Sequence, residues 1–142
     1  MKDRPDASRG YYWAIIGAFY DVHNTLGTGF LEKVYENALA YLLRVRGLTV
    51  VQQAPIHVYF QDVLVGEYYA DLLVADKVIV ELKTPERIYP EHLAQLSNYL
   101  KATHIEIGML LNFGRQSSFK RVILTDDRKS LPNNVSNSDV AV

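Results

Sequence analysis

Residues Tyr69–Lys83, with the sequence YADLLVADKVIVELK, decide the fold and contain the most informative charged groups of the chain. Two apolar runs flank a short polar stretch at Ala75–Lys77, a pattern typical of two strands joined by a tight turn. If the strands pair through this turn, Asp71 lies opposite Glu81 or within a residue or two of it. Since alternate side chains of a strand share a face, Glu81 and Lys83 point to the same side. The hairpin therefore brings two carboxylates and an ammonium group together on otherwise apolar strands.

Metal-assisted hydrolysis of a phosphodiester is the chemistry that this grouping of Asp71, Glu81 and Lys83 suits. Carboxylate oxygens suit a hard divalent cation such as Mg²⁺, which polarises a phosphoryl oxygen and lowers the pKa of a bound water. A neighbouring lysine can orient that water or offset charge that develops on the phosphate. An acid and a lysine two positions apart are also common on a solvated strand face, and this alternative stays open. The apolar residues Val78–Val80 and Leu82 favour a functional role for Glu81 and Lys83, because charges in a central strand are costly.

The remaining periodicity predicts a mixed sheet flanked by helices. Apolar residues at helical spacing predict a first helix that stops near Gly27–Gly29 and a second that starts about Phe30. A third helix is predicted over 91–102. A period of two predicts five strands, and Pro55 predicts a bulge or an edge position for the first of them. The strands are 50–60, 63–74, 78–83, 105–113 and 119–124. The order α-α-β-β-β-α-β-β predicts an α/β or α+β fold, two labels that the sequence does not separate.

The composition bounds both the size and the chemistry of the protein. Its 142 residues fit one domain, and we place that domain at 11–124 between a flexible N-terminus at 1–10 and a flexible polar tail at 125–142. The absence of cysteine excludes disulfides and thiolate zinc sites. No apolar run reaches the roughly 18 residues of a membrane span, so we expect a cytoplasmic protein without membrane contact. A net charge of −1 argues against binding nucleic acid by charge alone but does not exclude an enzyme.

Several blocks of the sequence resemble the GxxExxY family of the PD-(D/E)XK nuclease superfamily. Asp71 followed by ELK at 81–83 resembles the D…(D/E)xK signature, although Ala70 stands where a proline usually precedes the aspartate. The stretch GFLEKVY at 29–35 resembles the motif that names the family. Three further blocks are similar to it: VH at 22–23, QLSNYL at 95–100 and LNFG at 111–114. The resemblance extends from about residue 15 to residue 124.

The resemblance implies a restriction-endonuclease-like core, with the active site at one edge of the sheet. It implies that Asp71 and Glu81 hold Mg²⁺ or Mn²⁺, that Glu32 completes the metal set, and that Lys83 assists the attacking water. Gln95 matches a helix glutamine found near the site in several branches of the superfamily. The expected activity is a magnesium-dependent nuclease, with DNA favoured over RNA as the substrate.

Three further residues are candidates for substrate binding: Tyr35, His92 and Arg121. A tyrosine placed like Tyr35 is also often a core residue with a satisfied hydroxyl. A chain of this size is expected to have weak specificity of its own, so we expect a homodimer or a partner protein to supply targeting. Two other functions remain open. One is a catalytically silent module that binds nucleic acid or scaffolds a protein complex, and the other is a hydrolase of a different phosphate ester.

Overall fold

A five-stranded sheet with helices on both faces forms the protein, in a computed structural model that describes residues 7–85, 87–132 and 135. The helices are α1 (Ala7–Leu26), α2 (Glu32–Val45) and α3 (Pro90–Ala102). The strands are β1 (Val50–Phe60), β2 (Val63–Val74), β3 (Val78–Lys83), β4 (Ile107–Asn112) and β5 (Ser118–Ile123), followed by a 3-10 turn at Asp126–Arg128. This order and the mixed α+β class confirm the prediction.

The sheet order is β1-β2-β3-β4-β5, and every neighbouring pair is antiparallel except β3 and β4. The parallel pair is joined by α3, which crosses over one face as such connections require. Pro55 does not interrupt β1, because it pairs with Tyr69 on a strand at the edge of the sheet. The register of β1 shifts between Val58 and Tyr59, and Gln53 has a φ of 54°.

Two apolar cores lie on opposite faces of the sheet. The core beneath α1 and α2 includes Val78, Val80 and Leu82 of β3, whereas the core beneath α3 includes Ile79. Because side chains alternate along a strand, Glu81 and Lys83 leave the sheet on the side of α3. A single central strand thus contributes to both cores and still presents two charged groups.

The chain ends pack more extensively than the predicted boundaries imply. Helix α1 begins at Ala7, within the segment expected to be flexible. Beyond the predicted boundary at 124, the buried ammonium of Lys129 donates hydrogen bonds of 2.8 Å to the carbonyls of Thr103 and Ile105. Val135 is 7% exposed. Residues 1–6 and 136–142 lie outside the described residues, so the flexibility predicted for them stays a prediction. No helix in the described ranges is long and apolar enough to cross a membrane.

Candidate active site

Three polar residues lie in one row across three adjacent strands: Gln53 of β1, Asp71 of β2 and Glu81 of β3. Gln53 and Asp71 lie between paired residues of β1 and β2, and Asp71 and Glu81 lie one residue beyond the last pair of β2 with β3. The regular pairing of β2 with β3 ends one residue earlier, at Leu72 and Val80. We call these three residues the Gln53–Asp71–Glu81 row.

Side-chain oxygens replace the missing backbone pairing in this row. The Asp71 amide donates a 2.8 Å hydrogen bond to Glu81 Oε2, and the Leu82 amide donates one of 2.8 Å to Asp71 Oδ2. Each carboxylate therefore satisfies a backbone N–H of the neighbouring strand. The predicted proximity of Asp71 and Glu81 is confirmed, and the contact fixes the orientation of both side chains.

Burial raises the pKa of both carboxyls. Glu81 is only 4% exposed, and burial, with a smaller contribution from the charge of Asp71, raises its pKa to about 8. Burial also raises the pKa of Asp71, and the charge of Glu36 acts in the same direction. The hydrogen bond from the Leu82 amide opposes that shift. In the absence of a cation, burial thus favours the protonated form of these two acids.

Helix α2 adds further acids to the cluster. Glu32 lies in its first turn, and burial together with the charge of Asp71 raises the pKa of Glu32, while Lys83 acts against this rise. These interactions place the Glu32 carboxyl within electrostatic range of the Gln53–Asp71–Glu81 row. Glu36, one turn later, is buried and forms an ion pair with Lys33 at 3.0 Å. Its place on the same helix face as Glu32 was the only sequence signal for its position.

A hard divalent cation fits the donor chemistry of this cluster. Glu32, Asp71 and Glu81 supply carboxylate oxygens, the ligands that Mg²⁺ and Mn²⁺ prefer. Within residues 7–85, 87–132 and 135, however, no three acidic or histidine side chains are close enough to form a ready metal site. Asp71 and Glu81 each engage one oxygen with a backbone amide, and Glu32 comes from a separate element. The three carboxyl groups therefore have the oxygen donors and the charge that a divalent cation requires, but they are not arranged as a complete coordination site.

Tyr99 of α3 belongs to this site, although the sequence analysis did not single it out. It is 5% exposed, and burial with the charges of Glu81 and Asp71 raises its pKa to about 12. The Tyr99 hydroxyl is therefore within electrostatic range of the two carboxyls. Gln95 lies one turn earlier on α3, where both residues line a cavity of about 600 Å³. The spacing of Gln95 and Tyr99 on one helix face is the signal that could have identified the tyrosine.

The three candidates for substrate binding lie at different places. Tyr35 is fully buried, and its hydroxyl donates a 2.6 Å hydrogen bond to the Gly27 carbonyl. His92 lies in the first turn of α3, where its Nδ1 accepts a 3.2 Å hydrogen bond from the Tyr89 amide. Arg121 pairs with Met109, which belongs to the core beneath α1, so Arg121 lies on the face opposite Lys83. The structure brings none of the three into contact with the Gln53–Asp71–Glu81 row.

Residues of the sequence blocks at 22–23, 29–35 and 111–114 pack against one another next to the end of β3. The ring of Tyr35 stacks on Phe113 with centroids 4.6 Å apart, and Phe113 donates a 2.8 Å backbone hydrogen bond to Lys83. His23 Nε2 lies 2.9 Å from the Gly114 carbonyl. A Cβ at Gly114 would overlap the Pro85 carbonyl, so glycine is required at this close approach. These contacts hold α1, α2 and the end of β4 against the end of β3 that carries Lys83.

Comparison with known proteins agrees with this architecture. The sequence model described as the PD-(D/E)XK nuclease superfamily matches residues 10–122. The chain therefore belongs to the PD-(D/E)XK nuclease superfamily. A search of curated proteins gives no match.

Two solved structures are similar to this chain. One is an alkaline exonuclease, LHK-Exo from Laribacter hongkongensis, with 18% identity, a TM-score of 0.49, and coverage of 67% of this chain and 56% of that one. The other is the protein SSO0001, with 17% identity, a TM-score of 0.51, and coverage of 84% of this chain and 61% of that one. This chain thus spans less than two thirds of either structure's length, and the likeness to SSO0001 concerns the fold alone.

Proposed function

We propose that this protein is a divalent-metal-dependent nuclease that hydrolyses phosphodiester bonds of DNA in preference to RNA. The observation that carries the proposal is the buried, hydrogen-bonded contact of Asp71 with Glu81, beside Lys83 on the same strand. Carboxyl groups whose pKa values are raised by burial and by neighbouring charges are typical of functional sites. Membership of the superfamily supports the same reaction class.

In this proposal Asp71, Glu81 and Glu32 hold Mg²⁺ or Mn²⁺, which supplies polarisation of the phosphoryl oxygen and a water of lowered pKa. Lys83, half-buried at the end of β3, orients the attacking water or offsets charge on the phosphate. Tyr99 of α3 is buried, and its hydroxyl lies within electrostatic range of the two carboxyls. The acids must lose their protons before they ligate a cation, so metal affinity rises with pH.

We also assign the chain to the GxxExxY family within the superfamily. Each named position of the motif has a physical role in support of this assignment. Gly29 has a φ of 105°, which favours glycine. Glu32 approaches Asp71 and Lys83, and the Tyr35 hydroxyl closes the turn that leads into α2. A cytoplasmic location and targeting by a second copy or a partner protein remain part of the proposal.

A cleavage assay with the near-isosteric substitution Glu81→Gln tests the function. Plasmid DNA, single-stranded DNA and RNA are incubated with the protein and Mg²⁺ or Mn²⁺, with and without EDTA. Removal of one metal ligand is expected to lower cleavage by at least about 100-fold, and EDTA should abolish it. Glu67→Gln is the matched control, since Glu67 is exposed on β2 and contacts His57 rather than the site.

The possible outcomes separate the proposed function from its alternatives. Cleavage by wild type that disappears in Glu81→Gln but persists in Glu67→Gln supports a nuclease. If wild type cleaves no nucleic acid but hydrolyses a simple phosphate ester with the same dependence on Glu81, the substrate class is wrong. If wild type binds DNA with no hydrolysis of any ester, the fold serves as a binding module and the proposal fails.

A further inference from the structure

Gln53 adopts an unusual backbone conformation for a residue within a strand. Its φ of 54° lies in the left-handed region, yet it is in the middle of β1 rather than in a turn. The other non-glycine residues with positive φ lie in tight turns: Gln61, Ala75 and Asp76. Gln53 is also exposed, so burial of its side chain does not impose the conformation. Strain of this kind persists where the surroundings fix it, and it clusters at functional sites.

The conformation places the Gln53 side chain between two carboxylates. Its Nε2 donates a 2.9 Å hydrogen bond to Glu36 Oε1 and a 3.4 Å hydrogen bond to Asp71 Oδ1. An amide nitrogen has two hydrogens, and this geometry uses both of them. Gln53 therefore links Glu36 of α2 to Asp71 of β2 through these two hydrogen bonds.

Glu36 is a fixed anchor for this link. It is 4% exposed, and its carboxylate accepts hydrogen bonds from Lys33, Gln52 and Gln53 at 3.0, 2.8 and 2.9 Å. An acid with three donors has its charge satisfied in place. Glu36 is therefore suited to hold its neighbours rather than to ligate a cation itself.

Asp71 is held from two directions as a result. The Leu82 amide binds its Oδ2, and Gln53 binds its Oδ1. We propose that Gln53 is a positioning residue, which holds the Asp71 carboxylate in the orientation needed for the cation and retains a strained backbone in order to do so. This inference rests on the proposed function. Outer partners of this kind orient metal ligands, and their loss commonly weakens metal binding or activity by about 10- to 100-fold.

Two substitutions at Gln53 separate the role of the amide from that of the backbone. Gln53→Ala and Gln53→Gly both remove the amide, but only glycine adopts the positive φ without strain. We expect both variants to raise the dissociation constant for Mn²⁺ by about 10-fold or more, measured by calorimetry. The glycine variant should nevertheless melt at a higher temperature than the alanine variant. At saturating Mn²⁺, the KM for DNA should be unchanged in both, because Gln53 acts through Asp71.

Gln61→Gly is the matched control, because Gln61 has a φ of 55° in the exposed turn between β1 and β2. It should melt at or above the wild-type temperature with an unchanged affinity for Mn²⁺. If the role of Gln53 were merely structural, Gln53→Gly would regain the wild-type affinity for Mn²⁺ as it regains stability. That result would overturn the inference. Wild-type protein that binds no Mn²⁺ would instead overturn the proposed function and this inference with it. Binding by wild type and by both variants alike would overturn this inference alone.

Discussion

Glu81 is the residue at which the fold and the proposed chemistry meet. It occupies the central strand β3, where its neighbours along the chain are fully buried apolar residues. Its carboxyl receives a hydrogen bond from the Asp71 amide but also lies beside the Asp71 charge. A buried acid next to a second acid is stabilised when it binds either a proton or a cation.

The stability of the metal-free protein is predicted to fall as the pH rises. The folded-state pKa of Glu81 is about 8, above its ordinary value of 4.5, so the folded state keeps a proton that the unfolded chain releases. The contribution of this proton is fully present below about pH 4.5 and is lost as the pH rises through about 8. In EDTA, the wild-type melting temperature should therefore decrease over that range.

Glu81→Gln isolates this contribution, because glutamine does not ionise. Its melting temperature should fall less steeply with pH than that of wild type. Asp71 and Glu32, whose pKa values are raised too, should still produce part of the decrease. Equal pH slopes for the two proteins would contradict the raised pKa of Glu81.

At the scale of single residues, the sequence predicted the contacts that are local in the chain. Asp71 and Glu81 were correctly placed together because one short turn joins their strands. Glu36, Tyr99 and Gln53 were not selected, because their positions depend on how α2, α3 and β1 pack around that hairpin. No rule of local periodicity shows that an exposed glutamine in a strand has a positive φ.

At the scale of elements, the connection between α1 and α2 positions Glu32. Helix α1 ends at Leu26 and α2 begins at Glu32, two residues later than the sequence predicted. The Tyr35 hydroxyl spans this connection, with a 2.6 Å hydrogen bond to the Gly27 carbonyl and a 3.3 Å hydrogen bond from the Phe30 amide. A tertiary contact therefore fixes the turn that the glycines permit.

Tyr35→Phe is predicted to destabilise the protein by about 1–3 kcal/mol, because it leaves a partly buried carbonyl and amide without their partner. Chemical denaturation monitored by circular dichroism measures the loss. Tyr41→Phe on the same helix is the control, since Tyr41 is 67% exposed and should change the stability by less than about 0.5 kcal/mol. Equal effects of the two substitutions would show that the Tyr35 hydroxyl does not hold the turn.

The order of the elements followed from the change between helical and strand periodicity, and so it was predictable. Pro55 predicted either a bulge or an edge strand, and the edge is confirmed, since β1 is the outermost strand of the sheet. The strand itself is not broken there, because Pro55 pairs with Tyr69. The predicted mixed sheet is confirmed, since β3 pairs with β4 in parallel and the other neighbouring strands are antiparallel.

At the scale of the whole molecule, the segment after β5 completes the packing behind α3. Lys129 binds the carbonyls of Thr103 and Ile105, and His104 Nε2 lies 3.3 Å from the Val135 carbonyl. A polar composition alone predicted a flexible tail here, because a buried lysine satisfied by carbonyls has no signature in the sequence.

Two truncated variants test where the folded unit ends. Removal of 136–142 should change the free energy of unfolding by less than about 0.5 kcal/mol. Removal of 125–142 should cost about 2 kcal/mol or more, because it strips the partners from the carbonyls of Thr103 and Ile105. Urea denaturation of the two variants beside wild type measures both changes, and equal stability of the two would place the boundary at 124.

The central claim is that the carboxylates around Glu81 hold a divalent cation, and a calorimetric titration with Mn²⁺ tests it most directly. Wild type is predicted to bind Mn²⁺ and to release protons as it does so, which titrations in two buffers of different ionisation enthalpy reveal. Glu81→Gln should bind at least about 10-fold more weakly, and Glu67→Gln should match wild type. Wild-type protein that takes up no Mn²⁺ at millimolar concentration, or Glu81→Gln that binds as tightly as wild type, would contradict the account.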